Sequence, residues 1–216
     1  MKYLQNKNFD WTNIKAVGFD IDGTLYDEFD FIIKVYDKIA DIFKIAKINN
    51  TEIKTILLKK WLEKGSSYPF IFKEVIEELS INSEDKDNLL KKCIDIYRNH
   101  MPIITLSDRV NFLLNDLKSN YELFIITDGS TLLQWNKIIS LNLDQYVSKK
   151  NIIVTGEYGK LYNKPSSLSI SKLDFFVKKN IKESEVVYIG DREVDFLFAI
   201  NSGFHYIDIR KLFIKL

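Results

Sequence analysis

Asp20 and Asp22 are separated by one residue and followed at once by Gly23 and Thr24, and a second acid pair, Asp191 and Asp195, lies near the other end of the chain. Thr127 and Lys164 fall between the pairs. Two acid pairs, a hydroxyl and an ammonium are what transfer of a phosphoryl group from a dianion to a carboxylate needs. Magnesium prefers hard oxygen ligands and keeps several waters, so two or three carboxylates suffice to hold it. A lysine and a hydroxyl neutralise and orient phosphate oxygens. A second carboxylate beside a nucleophilic one can protonate the leaving oxygen and then activate water. A calcium loop is a poor fit to the first pair. It needs glycine at its sixth position and a helix before it, whereas Gly23 is fourth from Asp20 and an apolar run precedes.

Such groups act together only if the fold brings them to one place. Taken singly, Thr127 reads as a strand-end hydroxyl and Asp195 as a helix-surface acid. Lys164 alone reads as a solvated lysine, with Lys160 a rival for its role. The elements around them supply the missing convergence. Residues 15–20 form a short apolar run ending in acid, the pattern of a buried strand. Tyr121–Thr127, Ile152–Thr155, Val186–Gly190 and His205–Ile207 read as further strands. Helical spacing over Asp108–Lys118, Leu132–Leu141, Ser166–Lys179 and Val194–Ile200 alternates with them. That alternation predicts a doubly wound, Rossmann-like α/β core with a parallel sheet. In such sheets ligands bind outside the carboxyl ends of the strands, where the acids, Thr127 and Lys164 are expected.

Between the first two strands the rhythm is helical only. Phe29, Ile32, Ile33, Tyr36, Ile39, Ile42, Phe43 and Ala46 share one helical stripe. Thr51–Glu63, with Thr51 as the expected cap and Gly65 as its end, and then Phe70–Leu79 and Ser83–Arg98 continue the run, with Glu84 and Asp85 suiting a helix start. Cys93 falls on an apolar stripe and reads as a core thiol; Trp61, Tyr68 and Phe70 read as helical-insert core. The expected organisation is a core of residues 1–26 and 100–216 interrupted by a helical insert at 27–99.

Composition narrows the function classes. With 31 basic and 30 acidic residues the formal net charge is +1, which gives no global argument for binding nucleic acid or a membrane surface. One cysteine and two histidines exclude an internal disulfide and a zinc site built on Cys and His. No apolar run approaches the length of a membrane span, and a reducing, cytoplasmic setting is the expectation.

The segment Phe19-Asp20-Ile21-Asp22-Gly23-Thr24-Leu25-Tyr26 closely resembles the signature of the haloacid dehalogenase superfamily of phosphohydrolases. Ile125-Ile126-Thr127-Asp128-Gly129, Asn163-Lys164-Pro165 and Tyr188-Ile189-Gly190-Asp191-Arg192-Glu193-Val194-Asp195 resemble its later motifs in the same order. The resemblance covers nearly all of the core and extends weakly to the insert, which stands where that family has a mobile cap. It implies a magnesium-dependent phosphatase acting on a small phosphate monoester through an aspartyl-phosphate intermediate. Asp20 would be the nucleophile and a metal ligand. Asp22 would be the general acid and base, and would lend the metal its backbone carbonyl. Thr127, Lys164 and the Asp128 backbone would bind the phosphoryl group, Asp191 would complete the metal site, and Asp195 would support it or Lys164. Asp128 departs from the asparagine of many relatives, and its carboxylate would have to point away from a dianion. Pro165 is expected to open a helix with Lys164 at its mouth.

Sugar and polyol phosphates are favoured over nucleotides on family breadth. A phosphomutase shares the chemistry, and a non-catalytic binding module shares the fold. A dehalogenase usually lacks the second acid, so Asp22 argues against one. The Gly65–Tyr68 loop joins two helices of the insert, its contact with substrate left open; if the insert is a cap, its hinges lie near Tyr26-Asp27 and His100-Met101-Pro102. Oligomeric state is not legible in the chain.

Overall fold

The computed structural model describes residues 10–43, 49–79 and 83–212. In chain order these form β1 (Ala16–Phe19), α1 (Glu28–Ile42), α2 (Asn50–Lys64), α3 (Ile71–Glu78), α4 (Ser83–Asn99), α5 (Asp108–Lys118), β2 (Glu122–Thr127), α6 (Thr131–Ser140), β3 (Ile152–Val154), α7 (Phe175–Lys178), β4 (Val186–Gly190), α8 (Glu193–Asn201), β5 (His205–Asp208) and α9 (Ile209–Leu212), with short 3-10 turns between. The expected extension of the first helix to Ala46 and the side chains of Glu84 and Asp85 lie outside the described residues. Among the described residues no helix is long and apolar enough to cross a membrane.

The chain divides into two compact units, Met1–Asp27 with Ile104–Leu216, and Glu28–Ile103. The second crossing therefore falls four residues later than the sequence pattern suggested. The physical reason is local. The Phe31 ring meets His100 at 5.7 Å, and Lys34 Nζ donates to the Ile103 carbonyl. The connecting residues thus belong with the helices that they leave.

In the first unit all five strands are parallel, in the order β3-β2-β1-β4-β5. β1 and β4 are buried along their whole length and β2 is buried from Leu123 onward. A parallel sheet with both faces covered demands such continuous apolar runs rather than alternation. The chain moves from β1 outward through β2 to β3, then returns to the other side of β1 through β4. The reversal beside β1 is the switch point at which doubly wound sheets leave a crevice.

One hydrophobic cluster is rich in rings. Phe124 lies among Phe175, Phe176, Tyr188 and Phe204, with centroids 5.7–6.2 Å away. Space for it comes from Gly18, its direct partner across β1 and β2. A Cβ on Gly18 would stand 2.2 Å from the Phe124 ring.

Two local expectations change. The expected helix over 166–179 is broken into a 3-10 turn at Ser167–Lys172, an extended Leu173 (φ −100°, ψ 86°) and α7. Leu173 and Phe175 both enter the aromatic core. Residues two apart on a continuous helix cannot share a face, and the serine-rich start has little helical preference to oppose the break. Pro165 accordingly does not open a helix; the turn begins two residues later, capped by the Ser166 hydroxyl.

The helical unit differs in smaller ways. α2 is capped by Asn49, whose side-chain oxygen accepts from Thr51 N at 2.9 Å, rather than by Thr51. It ends at Gly65 with φ 75°, as expected. Cys93 is a fully buried thiol, and burial pushes its pKa up to about 12. Phe70 is 52% exposed rather than core, because it precedes the first turn of α3 and touches Tyr68 only edge-on.

Substituting Gly18→Ala should lower unfolding free energy by about 1–3 kcal/mol through overpacking. Part of that should return in Gly18→Ala/Phe124→Leu. Urea titration of the two variants reads both effects, and an undestabilised Gly18→Ala would contradict the packing described.

Candidate active site

The three central strands end together. β1 and β4 run in register, and Asp20 N continues the ladder by donating to Ile189 O at 3.0 Å. Asp20 is therefore positioned by sheet hydrogen bonding at the rim, beside the loop that carries Asp191. Gly23 then turns the chain with φ 75°. A Cβ there would lie 2.4 Å from Asp191 Oδ2, so the position requires glycine for both conformation and space. The Thr24 hydroxyl donates to Asp191 Oδ1 at 3.3 Å and ties the two loops together.

Lys164 is the centre of the arrangement. Its ammonium is buried and donates to Asp20 Oδ1 at 2.6 Å and to Asp195 Oδ1 at 2.5 Å. Desolvation would lower its pKa, but Asp20, Tyr188 and Asp195 outweigh that and hold it well above the ordinary lysine value. Lys160 is exposed, which removes it as a rival. Asp195 comes from the first turn of α8, where its second oxygen accepts from Arg192 N at 3.1 Å. Tyr188, which opens the fourth motif but had no role assigned from the sequence, faces the same ammonium and donates from its hydroxyl to Ile126 O at 2.7 Å. Its place inside an apolar strand run hid it.

Among the described residues, four buried oxygens of this region find no hydrogen-bond partner: Asp20 Oδ2, Thr127 Oγ1, Ser130 Oγ and Gln134 Oε1. Buried polar atoms are nearly always satisfied, so a group of unsatisfied ones marks a place where a polar ligand supplies the bonds. Burial raises the Asp20 pKa to about 7 against the pull of Lys164, and burial also raises Asp191. Asp20, Asp191 and Asp195 each bring a carboxylate oxygen within 4.8 Å of the others. Both Asp195 oxygens are already engaged, so Asp20 Oδ2 and Asp191 are the donors left for a hard cation.

Asp128 turns its carboxylate sideways. Oδ1 accepts from the Thr155 hydroxyl at 2.8 Å and from Lys164 N at 3.2 Å, so this acid braces the lysine's loop. Asp22 also points elsewhere than the acid cluster. Its Oδ1 accepts from Lys137 Nζ at 2.6 Å and from the Tyr26 hydroxyl, and its Oδ2 from Gln134 Nε2 at 2.9 Å. Burial would raise its pKa, yet Lys137 and these hydrogen bonds together hold it below the usual carboxylate range. Gln134 and Lys137 were not singled out from the sequence. Their signal was faint, two polar residues at i and i+3 on a helix following a strand end.

A haloacid dehalogenase-like hydrolase family model matches residues 17–209, spanning the sheet and every site residue above. The chain belongs to that family. It is 27% identical over 186 residues to a glyceraldehyde 3-phosphate phosphatase of Methanocaldococcus jannaschii, covering 83% of this chain and 77% of the relative. A glyceraldehyde 3-phosphate phosphatase of Methanothermobacter thermautotrophicus is also 27% identical, over 88% of this chain and 83% of its own. Among solved structures, a haloacid dehalogenase superfamily hydrolase from Geobacter sulfurreducens superposes with a TM-score of 0.67 at 22% identity, covering 90% of this chain and 86% of that one. A haloacid dehalogenase hydrolase from Bacillus subtilis bound to magnesium gives 0.63 at 19% identity, over 89% and 85%.

In this haloacid dehalogenase-like chain, Lys164→Met should destabilise the protein in chelator by about 3–5 kcal/mol, since it leaves buried carboxylates without their cation. Lys160→Met should stay within about 0.5 kcal/mol. The loss should also grow with pH. Asp20 has a folded pKa of about 7, above the roughly 3.9 of an unfolded aspartate, so its favourable contribution is complete below about pH 4 and lost as pH rises through 7. Removing Lys164, which pulls that pKa down, moves it higher still, so the variant goes on losing stability with rising pH after the wild type has stopped. Urea midpoints at the two pH values test this; a loss that shrinks at pH 8 would refute it.

Proposed function

We propose that this chain is a magnesium-dependent phosphatase whose substrate is a small sugar phosphate, with a three-carbon ester such as glyceraldehyde 3-phosphate the leading candidate. The observation that carries the reading is the Asp20 carboxylate: buried, held on Oδ1 by Lys164, and with Oδ2 accepting no hydrogen bond among the described residues while Arg192 approaches it at 3.9 Å. One oxygen is fixed and the other left to react. The names of the curated relatives support the substrate class.

On this reading Asp20 Oδ2 attacks phosphorus, forming an aspartyl phosphate as the bond to the leaving oxygen breaks. Lys164 and the Thr127 hydroxyl hold the phosphoryl oxygens and offset the charge that builds on them. Asp22 would leave its ion pair with Lys137, take up a proton and deliver it to the leaving oxygen. It then takes a proton from the water that attacks the aspartyl phosphate, which releases inorganic phosphate and restores Asp20. The net reaction is monoester plus water to alcohol plus phosphate. Asp20 and Asp191, with the Asp22 backbone carbonyl, would hold Mg2+, and the ion would neutralise the dianion and lower the carboxylate pKa values that burial raises. Asp195 would serve through Lys164.

Wild-type protein should release phosphate from glyceraldehyde 3-phosphate with Mg2+ and lose the activity in excess EDTA. Asp20→Asn should retain less than about one hundredth of it, because removing the nucleophile raises the barrier by several kcal/mol. Full activity in EDTA, or in Asp20→Asn, would end the proposal.

We assign the helical unit, Glu28–Ile103, the role of a substrate-selecting cap. Support comes from its insertion directly after the first motif and from its own packed core. Its Gly65–Tyr68 loop is pinned internally by Trp61 Nε1 donating to Ser66 Oγ at 2.6 Å and by Tyr68 donating to Glu74. Exchanging residues 28–103 for the corresponding segment of a relative should change which ester is preferred while Asp20 stays essential. An unchanged substrate profile would remove that role.

A further inference from the structure

A lysine ammonium carries three N–H donors and no more. Lys164 has placed all three: on Asp20 Oδ1 at 2.6 Å, on Asp195 Oδ1 at 2.5 Å and on the Tyr188 hydroxyl oxygen at 3.4 Å. A phosphate oxygen can therefore bond to this nitrogen only by displacing one of them. The two carboxylate bonds are short and charge-assisted, and they neutralise a cation that is shut away from water. The bond to the neutral hydroxyl is long and is the weakest of the three. Tyr188 itself is fixed. Its one O–H proton goes to Ile126 O at 2.7 Å, beside Thr127, so its oxygen meets Lys164 only as an acceptor. Its ring is fully buried against Phe124 and Phe198, with centroids 6.2 and 4.8 Å away, so it cannot follow the ammonium.

We infer that Tyr188 is a positioning residue of the phosphoryl site: its hydroxyl holds the third N–H of Lys164 until a phosphate oxygen takes it, while both carboxylate bonds are kept. The inference rests on the reading of Lys164 as a phosphate ligand. The chemistry of the hydroxyl suits the task. An apolar side chain in its place would leave a buried donor unsatisfied, which costs more than a weak bond gains. A third carboxylate would hold that donor too tightly to release it. A neutral acceptor at long range avoids both, and it keeps the lysine in one rotamer with its two acids. A merely structural tyrosine makes the opposite demand. Its loss would loosen Lys164 and weaken phosphate binding, or leave the affinity unchanged, whereas loss of a competing acceptor strengthens it.

The test uses that difference in sign. Tyr188→Phe removes the acceptor and keeps the ring, including its approach to Lys164 Nζ, which lies 5.7 Å from the ring centroid. The Kd of inorganic phosphate is measured by calorimetry on wild type and variant, both with Mg2+. The variant should bind phosphate about two- to fivefold more tightly, the worth of one weak hydrogen bond. A second measurement needs no variant. A crystal structure of the wild type with Mg2+ and inorganic phosphate should show Lys164 Nζ bonded to Asp20, Asp195 and a phosphate oxygen, with the Tyr188 hydroxyl more than about 3.5 Å away. Equal or weaker phosphate binding by folded Tyr188→Phe overturns the inference and leaves the phosphatase reading standing. So does a phosphate-bound structure in which Lys164 keeps Tyr188 or gives up a carboxylate instead. If Tyr188→Phe fails to fold, the structure alone decides. A wild type that neither binds phosphate nor releases it from an ester overturns the phosphatase reading and this inference with it.

Discussion

The ammonium of Lys164, buried between Asp20 and Asp195, is the interaction on which the rest of the site depends. It joins the end of β1, the first turn of α8 and the loop that follows β3. None of these could bury its charge alone. A carboxylate taken out of water without a cation would take up a proton or pull the loop open. The lysine's own loop is braced in turn by the Asp128 carboxylate. Charge neutralisation is therefore a condition for the sheet rim to close, and the closed rim leaves one oxygen of Asp20 unsatisfied.

That residual frustration is consistent with chemistry rather than stability. Burial raises Asp20 and Asp191 above the usual carboxylate range, while Lys137, Tyr26 and Gln134 hold Asp22 below it. Neighbouring acids on one loop are thus driven apart by their surroundings. The aromatic packing around Phe124 reaches the site through Tyr188, which faces the Lys164 ammonium. Gly18 lets the Phe124 ring lie flat against the strand, and the rigid sheet that results gives the rim loops a fixed base.

The helical unit is held by a different logic. Its helices bury an apolar stripe that includes Phe31, Tyr36, Ile53, Leu57, Val75 and Cys93, so its order derives from its own core. The chain between His100 and Ile103 packs with those helices. Substrate choice in this family would then be free to vary in the insert while the carboxylate and lysine chemistry stays constant in the sheet.

Much was determined by the sequence alone. Continuous apolar runs ending in acid specify buried parallel strands whose carboxyl ends carry the reactive groups, because period and polarity are local properties. The order of Asp20, Thr127, Lys164 and Asp191 along the chain named the family for the same reason. Tertiary structure decided what depends on partners distant in the chain. It buried the ammonium of Lys164, already favoured over Lys160 from the sequence, and left Lys160 exposed. It broke the expected helix at 166–179 so that Leu173 and Phe175 could both enter the core, turned the Asp128 carboxylate toward Thr155, and set Lys137 against Asp22 across 115 residues. Burial and charge pairing are sums over neighbours in space, and no spacing rule along a chain contains them.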